Sequence, residues 1–480
     1  MRVRWPWRAS AARSADAAVA ALVARARSAQ RAYEAWPQER VDEAVVAAAW
    51  AIVEPSRNRA LAELSVRDTG LGNVDDKIAK NRRKTLGLLR DLRGAKSVGV
   101  IAEDRRRGLV EIARPVGVVA AITPSTNPAA TPANNIVNAL KGRNAIVLAP
   151  SPKGASTLAL LLRFVHAELD RVGAPRDLVQ MLPTPVTREA TFALMRAADL
   201  VVATGSQTNV RAAYSSGTPA IGVGAGNVAA IVDETADVTA AAAKIARSKA
   251  FDHATSCSSE NSVIAVAAVA DALLAALARE GGVLLDAEET RRLESEMFPD
   301  GKLAPEVVAQ SAPAIAARGG LVRPELDHAR FLIVEETDVG AAHPFSGEKL
   351  SPVLAFYRVP DFAAAADLAS RLLAFQGAGH SVGLHTGKPE RATELGLTLP
   401  VCRVIVNQAH CFATGGSFDN ALPFSLSMGC GTWGRNSISD NLGYRHFLNI
   451  TRVVMPFAPE DVREPTDEEL FGEYRRKYRA

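Results

Sequence analysis

Cys257 stands in FDHATSCSSENS, a lone thiol among small and hydroxyl side chains, just after a probable helix and before the strand-like run SVIAVAA. A loop or helix end at that place would expose a thiolate and lower its pKa, which would make the residue a nucleophile. The bland role for an isolated cysteine is a small buried hydrophobe, so Cys257 needs company to carry chemistry. Cys402, Cys411 and Cys430 form neither a CxxC pair nor a zinc-binding spacing. No metal site is expected, and four cysteines are few for a secreted disulfide scaffold, so a reducing cytoplasm is the simplest home. The string GCGTWG puts Gly429, Gly431 and Gly434 in a literal GxGxxG, but it comes late and lacks the strand, glycine turn and helix of a dinucleotide site. Asn127, beside two prolines, reads by itself as a turn residue, and Glu348 as a solvated loop charge.

The elements that must position these residues follow from apolar rhythm. From Ser14 to about Arg93 the chain is rich in Ala, Leu, Arg and Glu at helical spacing, and it reads as several helices without visible chemistry. VGVIAEDRRRGLVEIARP then alternates in short strand-like pieces, which predicts a hairpin near residues 98–113 able to join subunits. VGVVAAIT, NAIVLAP, LVQMLP, LVVATG and NVAAIV are short, nearly continuous apolar runs separated by helical stretches. Strands apolar on both faces imply a parallel sheet covered by helices, with ligands beyond the strands' carboxyl ends. A second alternation follows, with SVIAVAA, RFLIVEE, VLAFYRV, SVGLHTG and RVIVNQA as strands. The expected fold is α/β with two lobes, a Rossmann-like cofactor lobe over residues 1–247 and a catalytic cysteine lobe over 248–435, then a C-terminal segment over 436–480.

Bulk properties bound the reading. A chain of 480 residues exceeds one compact core, and 48% hydrophobic with 22% charged residues is the composition of a globular protein. A formal charge of +4, without a basic run interleaved with aromatics, argues against a nucleic-acid partner. No uncharged apolar stretch of about 20 residues exists to span a membrane. The basic start MRVRWPWRASAARSADAAVAALVARARSAQ is interrupted by Asp16, Arg25 and Arg27, so it lacks a secretory core and reads as a helix, although an Arg-rich start is also what organellar transit peptides look like.

Motif order adds a family resemblance. ARPVGVVAAITPSTNPAATPANNIVNALKGRNAIVLAPSPKGAS, VVATGSQTNVRAA, GVGAGNVAAIV, TSCSSENS and GEKLSPVLAFYRV occur in the order seen in the aldehyde dehydrogenase superfamily. NPAAT, EKLSP and LSMGCGTWGRNSISDN resemble more closely its CoA-acylating branch, over about residues 100 to 453. The resemblance implies that Cys257 attacks an aldehyde to form a thiohemiacetal, that Asn127 donates to the oxyanion, and that hydride transfer leaves a thioester. It further implies a dinucleotide site at Thr123, Pro124, Ser151, Lys153, Gly205, Ser206, Gly224 and Glu348, with Glu348 on the nicotinamide ribose. Val223 occupies the position where hydrolytic relatives carry a water-activating glutamate, and valine accepts no proton. CoA, whose thiol already supplies some anion near neutrality, is therefore the expected acyl acceptor. Ala149, Pro150, Ser151 and Pro152 replace the LysProAlaGlu of NAD-linked relatives, so the adenosine-ribose carboxylate is missing. Lys153 can pair with a 2′-phosphate, which sets NADP ahead of NAD.

The loop around Gly429 and Gly431 is expected to border the acyl and CoA site. Arg435 replaces a glycine of the simple acetaldehyde enzymes, with His253 and His410 as further donors, and an arginine there would suit a sulfonate or carboxylate. HCFATGGSFDNALPFSLSMGCGTWGRNSISDN most resembles acylating enzymes that act on sulfoacetaldehyde. Acetaldehyde, propionaldehyde or succinate semialdehyde as substrate, a hydrolytic enzyme, and a non-enzymatic binding protein are the alternatives. A homodimer or homotetramer is expected.

Overall fold

The computed structural model describes residues 6–479, so the first five residues of the basic start and Ala480 lie outside the described residues. Four helices come first: α1 (Pro6–Glu34), α2 (Gln38–Val53), α3 (Pro55–Thr69) and α4 (Val74–Leu92). Asn73 caps α4 by accepting the Asp76 N–H, and Asp75 and Asp76 in its first turn complement the helix dipole. The predicted hairpin is β1 (Gly99–Asp104) and β2 (Leu109–Pro115), paired antiparallel. A distant strand, Leu448–Val454, adds to β2 and completes a three-stranded sheet.

The first lobe holds β3 (Val118–Thr123), α5 (Ala130–Lys141), β4 (Ala145–Pro150), α6 (Ala155–Arg171), β5 (Val179–Met181), α7 (Arg188–Ala197), β6 (Leu200–Ala203), α8 (Gln207–Tyr214) and β7 (Ala220–Gly222). All strands are parallel, in the order β5-β4-β3-β6-β7. β3 and β4 are buried along their whole length, as continuous apolar runs between helix layers require. The strand order reverses between β3 and β6, which opens a crevice beyond their carboxyl ends.

A second, seven-stranded parallel sheet contains β8 (Val228–Val232), β9 (Glu260–Val266), β10 (Gly282–Leu284), β11 (Phe331–Glu335), β12 (Val353–Val359), β13 (Val382–His385) and β14 (Val404–Val406), in the order β10-β11-β12-β9-β8-β13-β14. Two features differ from the sequence-based division. NVAAIV, expected in the cofactor lobe, is β8, which hydrogen-bonds to β9 and β13 at the centre of the second sheet. The helix α9 (Val238–Ala250) packs there too, so the change of sheet falls between β7 and β8 rather than at residue 247. The chain after β14 then returns to the first lobe, where Phe424, Leu442 and Phe447 join the core around β3 and β4. The strand Leu448–Val454 follows, and the last helix, Asp467–Tyr478, is exposed over nearly all of its length.

Candidate active site

A cavity of about 720 Å³ lies between the two lobes, at the carboxyl ends of β3, β4 and β6. Cys257 enters it from the loop between a short helical turn, Phe251–Ala254, and β9. Gly226, in the β7–β8 loop, lies flat against this loop: an added Cβ would sit 2.1 Å from the Cys257 carbonyl oxygen. The thiol meets His380 Nε2, at 3.4 Å from Sγ. His380 Nδ1 meets Ser381 Oγ at 2.7 Å. Burial, then the charges of Arg403 and His410, lower the His380 pKa to about 3, so the imidazole is neutral.

The expected lowering of the Cys257 pKa does not occur. Burial, with Glu348 and Cys430 adding negative character, pushes the thiol up to about 12. The surroundings explain the sign: no described cation contacts the sulfur, and desolvation disfavours the thiolate. Glu348 lines the same cavity and accepts the Gly226 N–H at 3.2 Å, while its own N–H donates to Gln376 Oε1 at 3.0 Å. Burial pushes its carboxyl up to about 8. Glu348 is the only carboxylate among the described lining residues, whereas Lys80, Arg83, Lys84 and Arg188 supply cations. Val223 also lines the wall, 8% exposed, and brings no base.

Asn127 projects from the β3–α5 loop, its Oδ1 accepting from Lys80 Nζ at 2.9 Å. Thr123, Pro124, Ser151, Gly205, Ser206 and Gly224 line the same cavity. Gly205 has φ 140 and leaves room that a Cβ would fill, 3.6 Å from Pro124, and Ser206 caps α8 beside it. That bare backbone at a crevice of a parallel sheet suits a dinucleotide. Lys153 is exposed on the turn Pro152–Gly154, next to lining residues Ser151 and Pro152.

The five expected substrate or CoA contacts are all placed elsewhere. Arg435 is exposed, in the left-handed position that ends the turn Thr432–Gly434, and does not line the cavity. His253 faces a second, shallower depression with Arg82, Arg247 and Arg330. Gly429 and Gly431 fold their loop back on itself through N–H bonds to Asp440 O and Ile438 O, both 2.9 Å. His410 is buried under the nucleophile loop, its Nδ1 2.9 Å from Ser258 O and its N–H donating to Glu260 Oε1 at 3.1 Å. Within the 429–436 loop the backbone bonds to itself, through Gly434 N–H to Cys430 O and Asn436 N–H to Gly431 O, which leaves Arg435 facing solvent.

The sequence reading gave helices here but missed the role of α4, whose lysines at 77, 80 and 84 share one face and reach the cavity or its wall. The missed signal was lysines spaced by three and four within a helix that also carries apolar residues. His380 was likewise passed over, being separated from Cys257 by 123 residues.

The family model of the aldehyde dehydrogenase family matches residues 7–284, more than half of the chain, and the chain belongs to that family. It is 64% identical over 463 residues to sulfoacetaldehyde dehydrogenase (acylating) of Cupriavidus necator, covering 96% of this chain and 93% of that protein. Among solved structures it superposes on an acetylating aldehyde dehydrogenase from Geobacillus thermoglucosidasius with a TM-score of 0.90 at 36% identity, covering 95% of this chain and 99% of that one. A propionaldehyde dehydrogenase of Rhodopseudomonas palustris, solved with bound CoA and an acylated cysteine, matches with a TM-score of 0.80 at 26% identity, covering 91% and 97% of the two chains.

Proposed function

We propose that this chain is a CoA-acylating aldehyde dehydrogenase that converts sulfoacetaldehyde to sulfoacetyl-CoA, using NADP or NAD. The observation that carries the reading is the cavity itself: a half-buried thiol on the same wall as Asn127 and Glu348, a valine at 223, and four cations against one carboxylate. Such a wall favours an anionic aldehyde and the phosphates of CoA and the dinucleotide. Arg83 and Lys84 of α4 take the role first assigned to Arg435. Arg83 Nη1 is buried without a partner among the described residues, and Lys84 Nζ is held by Gly415 O at 2.7 Å. Both belong to groups that pair readily with a sulfonate. The 64% identical Cupriavidus necator relative bears the same substrate in its name.

In this mechanism the Cys257 sulfur bonds to the aldehyde carbon while its proton passes to His380 Nε2. Burial holds the resting pair as a neutral thiol and a neutral imidazole, so the thiol proton leaves only as the sulfur–carbon bond forms. The carbonyl oxygen becomes an oxyanion that receives the Asn127 Nδ2–H and a backbone N–H at Cys257. A nicotinamide dinucleotide, when bound, would supply the hydride acceptor for the thiohemiacetal. The CoA thiol then displaces Cys257 from the thioester, and Val223 leaves water without a base. Glu348, Gly205, Ser206, Thr123, Pro124, Ser151 and Gly224 would hold the dinucleotide, and Lys153 a 2′-phosphate, which favours NADP. All four cysteines are free, in keeping with a reducing, cytoplasmic setting. No helix among the described residues is long and apolar enough to cross a membrane. The exposed Val454, Met455 and Phe457 beside the three-stranded sheet support a homodimer or homotetramer.

Reduced cofactor measured at 340 nm, with sulfoacetaldehyde, succinate semialdehyde and acetaldehyde, each with and without CoA, tests the reading. The expected outcome is strict CoA dependence, preference for sulfoacetaldehyde, and no turnover by Cys257→Ala. Turnover without a thiol would make water the acceptor and overturn it.

A further inference from the structure

Asn127 can serve an oxyanion only if its amide nitrogen, not its oxygen, faces the reacting carbonyl. An amide flips at little cost unless a neighbour distinguishes its two ends. Lys80 is that neighbour. Its ammonium contacts Asp252 Oδ2 directly, Thr255 Oγ1 at 2.8 Å and Asn127 Oδ1 at 2.9 Å. An ammonium has three donors and no acceptor, so it can approach only the carbonyl end of the amide. Asn127 Nδ2 is thereby turned away from Lys80, and its sole described partner is Thr126 Oγ1, at 3.5 Å. That contact is at the limit of hydrogen bonding, and the donor stays available to the cavity that Asn127 lines.

The other end of the pair holds the nucleophile loop. Asp252 is fully buried and also accepts from Lys77 Nζ at 3.2 Å, Asn73 N–H at 3.0 Å and Thr255 Oγ1 at 2.7 Å. It begins three successive non-glycine residues in left-handed conformation, Asp252, His253 and Ala254, with φ 50, 49 and 57. Such backbone persists only where its surroundings over-determine it. The Asp252 N–H donates to Asp76 Oδ2 at 2.7 Å, so α4 clamps this strained turn from both sides of the peptide. Cys257 follows a few residues later. One ion pair therefore ties the loop bearing the thiol to the side chain that meets the oxyanion.

We propose that Lys80, anchored by Asp252, is a positioning residue that fixes the amide orientation of Asn127 and registers it against the Cys257 loop. This rests on the reading of Asn127 as oxyanion donor. The cation behind the carbonyl also polarises the amide, which strengthens Nδ2–H as a donor.

A double-mutant cycle in the full chain tests it, with kcat, KM and Cys257 alkylation by iodoacetamide as readouts. Loss of one oxyanion donor lowers kcat by about 100-fold, which is the expectation for Asn127→Ala. Lys80→Met lowers kcat by about 10- to 100-fold at nearly constant KM, and the double variant is no worse than Asn127→Ala, because both changes remove the same interaction. Alkylation forms no oxyanion, and without Lys80 the Cys257 loop keeps the Lys77, Asn73, Thr255 and Asp76 bonds to Asp252, so its rate in Lys80→Met stays within about twofold of the parent. Lys80→Gln, which keeps an N–H donor to Asn127, recovers part of the rate, and it carries the same cycle if Lys80→Met fails to fold. Multiplied losses in the double variant, or alkylation slowed in parallel with kcat, would overturn the proposal. Full activity of Asn127→Ala would instead remove the oxyanion reading on which it rests.

Discussion

Burial is the largest influence on the thiol of Cys257, and Glu348 acts on it second. A pKa near 12 means that alkylation of the unliganded protein should still accelerate with each pH step beyond about 9, where an ordinary cysteine thiol is already mostly ionised. A plateau below pH 9 would contradict the buried, uncharged surroundings. Glu348, pushed up to about 8, is neutral below that pH and negative above it. Its ionisation repels a forming thiolate, so Glu348→Gln should alkylate about as fast as the parent at pH 7 and faster, by about threefold, at pH 9. A slower variant at pH 9 would show that the carboxylate assists the thiol. The motif singled out this cysteine, but the direction of its pKa was not legible, because desolvation is set by residues such as Glu348 and Cys430 that lie far away in the sequence.

Helix α4 shows how an element can be readable while its role is hidden. Its capping and length follow from local residues, yet the face bearing Lys77, Lys80 and Lys84 looks like solvated charge until the second lobe closes on it. Lys84, lowered to about 7 by burial and by Arg83, is a cation below that pH and loses its charge above it. KM for sulfoacetaldehyde should therefore rise as pH passes 7, whereas KM for propionaldehyde should stay flat. Lys84→Met should raise KM for the anionic aldehyde about 10- to 100-fold, the range for losing a charge-assisted hydrogen bond, and leave the neutral one within about twofold. Equal effects on both substrates would assign Lys84 to CoA or to structure instead. Among strands, NVAAIV was correctly an apolar run, but burial on both faces is common to both sheets and does not say which sheet a strand joins. β7 and β10, AIG and GVL, each include a glycine, and neither gives the nearly continuous apolar run that marked the equally short β5 and β14.

For the molecule as a whole, the net charge of +4 is small, yet the cavity wall carries Lys80, Arg83, Lys84 and Arg188, and the neighbouring depression adds Arg82, Arg247 and Arg330 against Asp76. Such focusing raises capture of anions and is screened by salt. kcat/KM for sulfoacetaldehyde should fall several-fold between about 20 and 200 mM monovalent salt, with little change for propionaldehyde. Parallel curves for the two aldehydes would place the charge effect on CoA binding. The order of apolar runs was enough to determine two parallel α/β lobes and a hairpin, and the motifs were enough to mark Cys257, Asn127, Glu348 and the valine at 223. These are properties of residue type and short spacing, which need no partner to be read. Only the tertiary structure decided that His380 meets Cys257, that Lys80 holds Asn127, and that Arg435 and His253 stay out of the cavity. Those relations depend on which side chains a fold brings within hydrogen-bond distance, and a linear chain carries that information only through its packing.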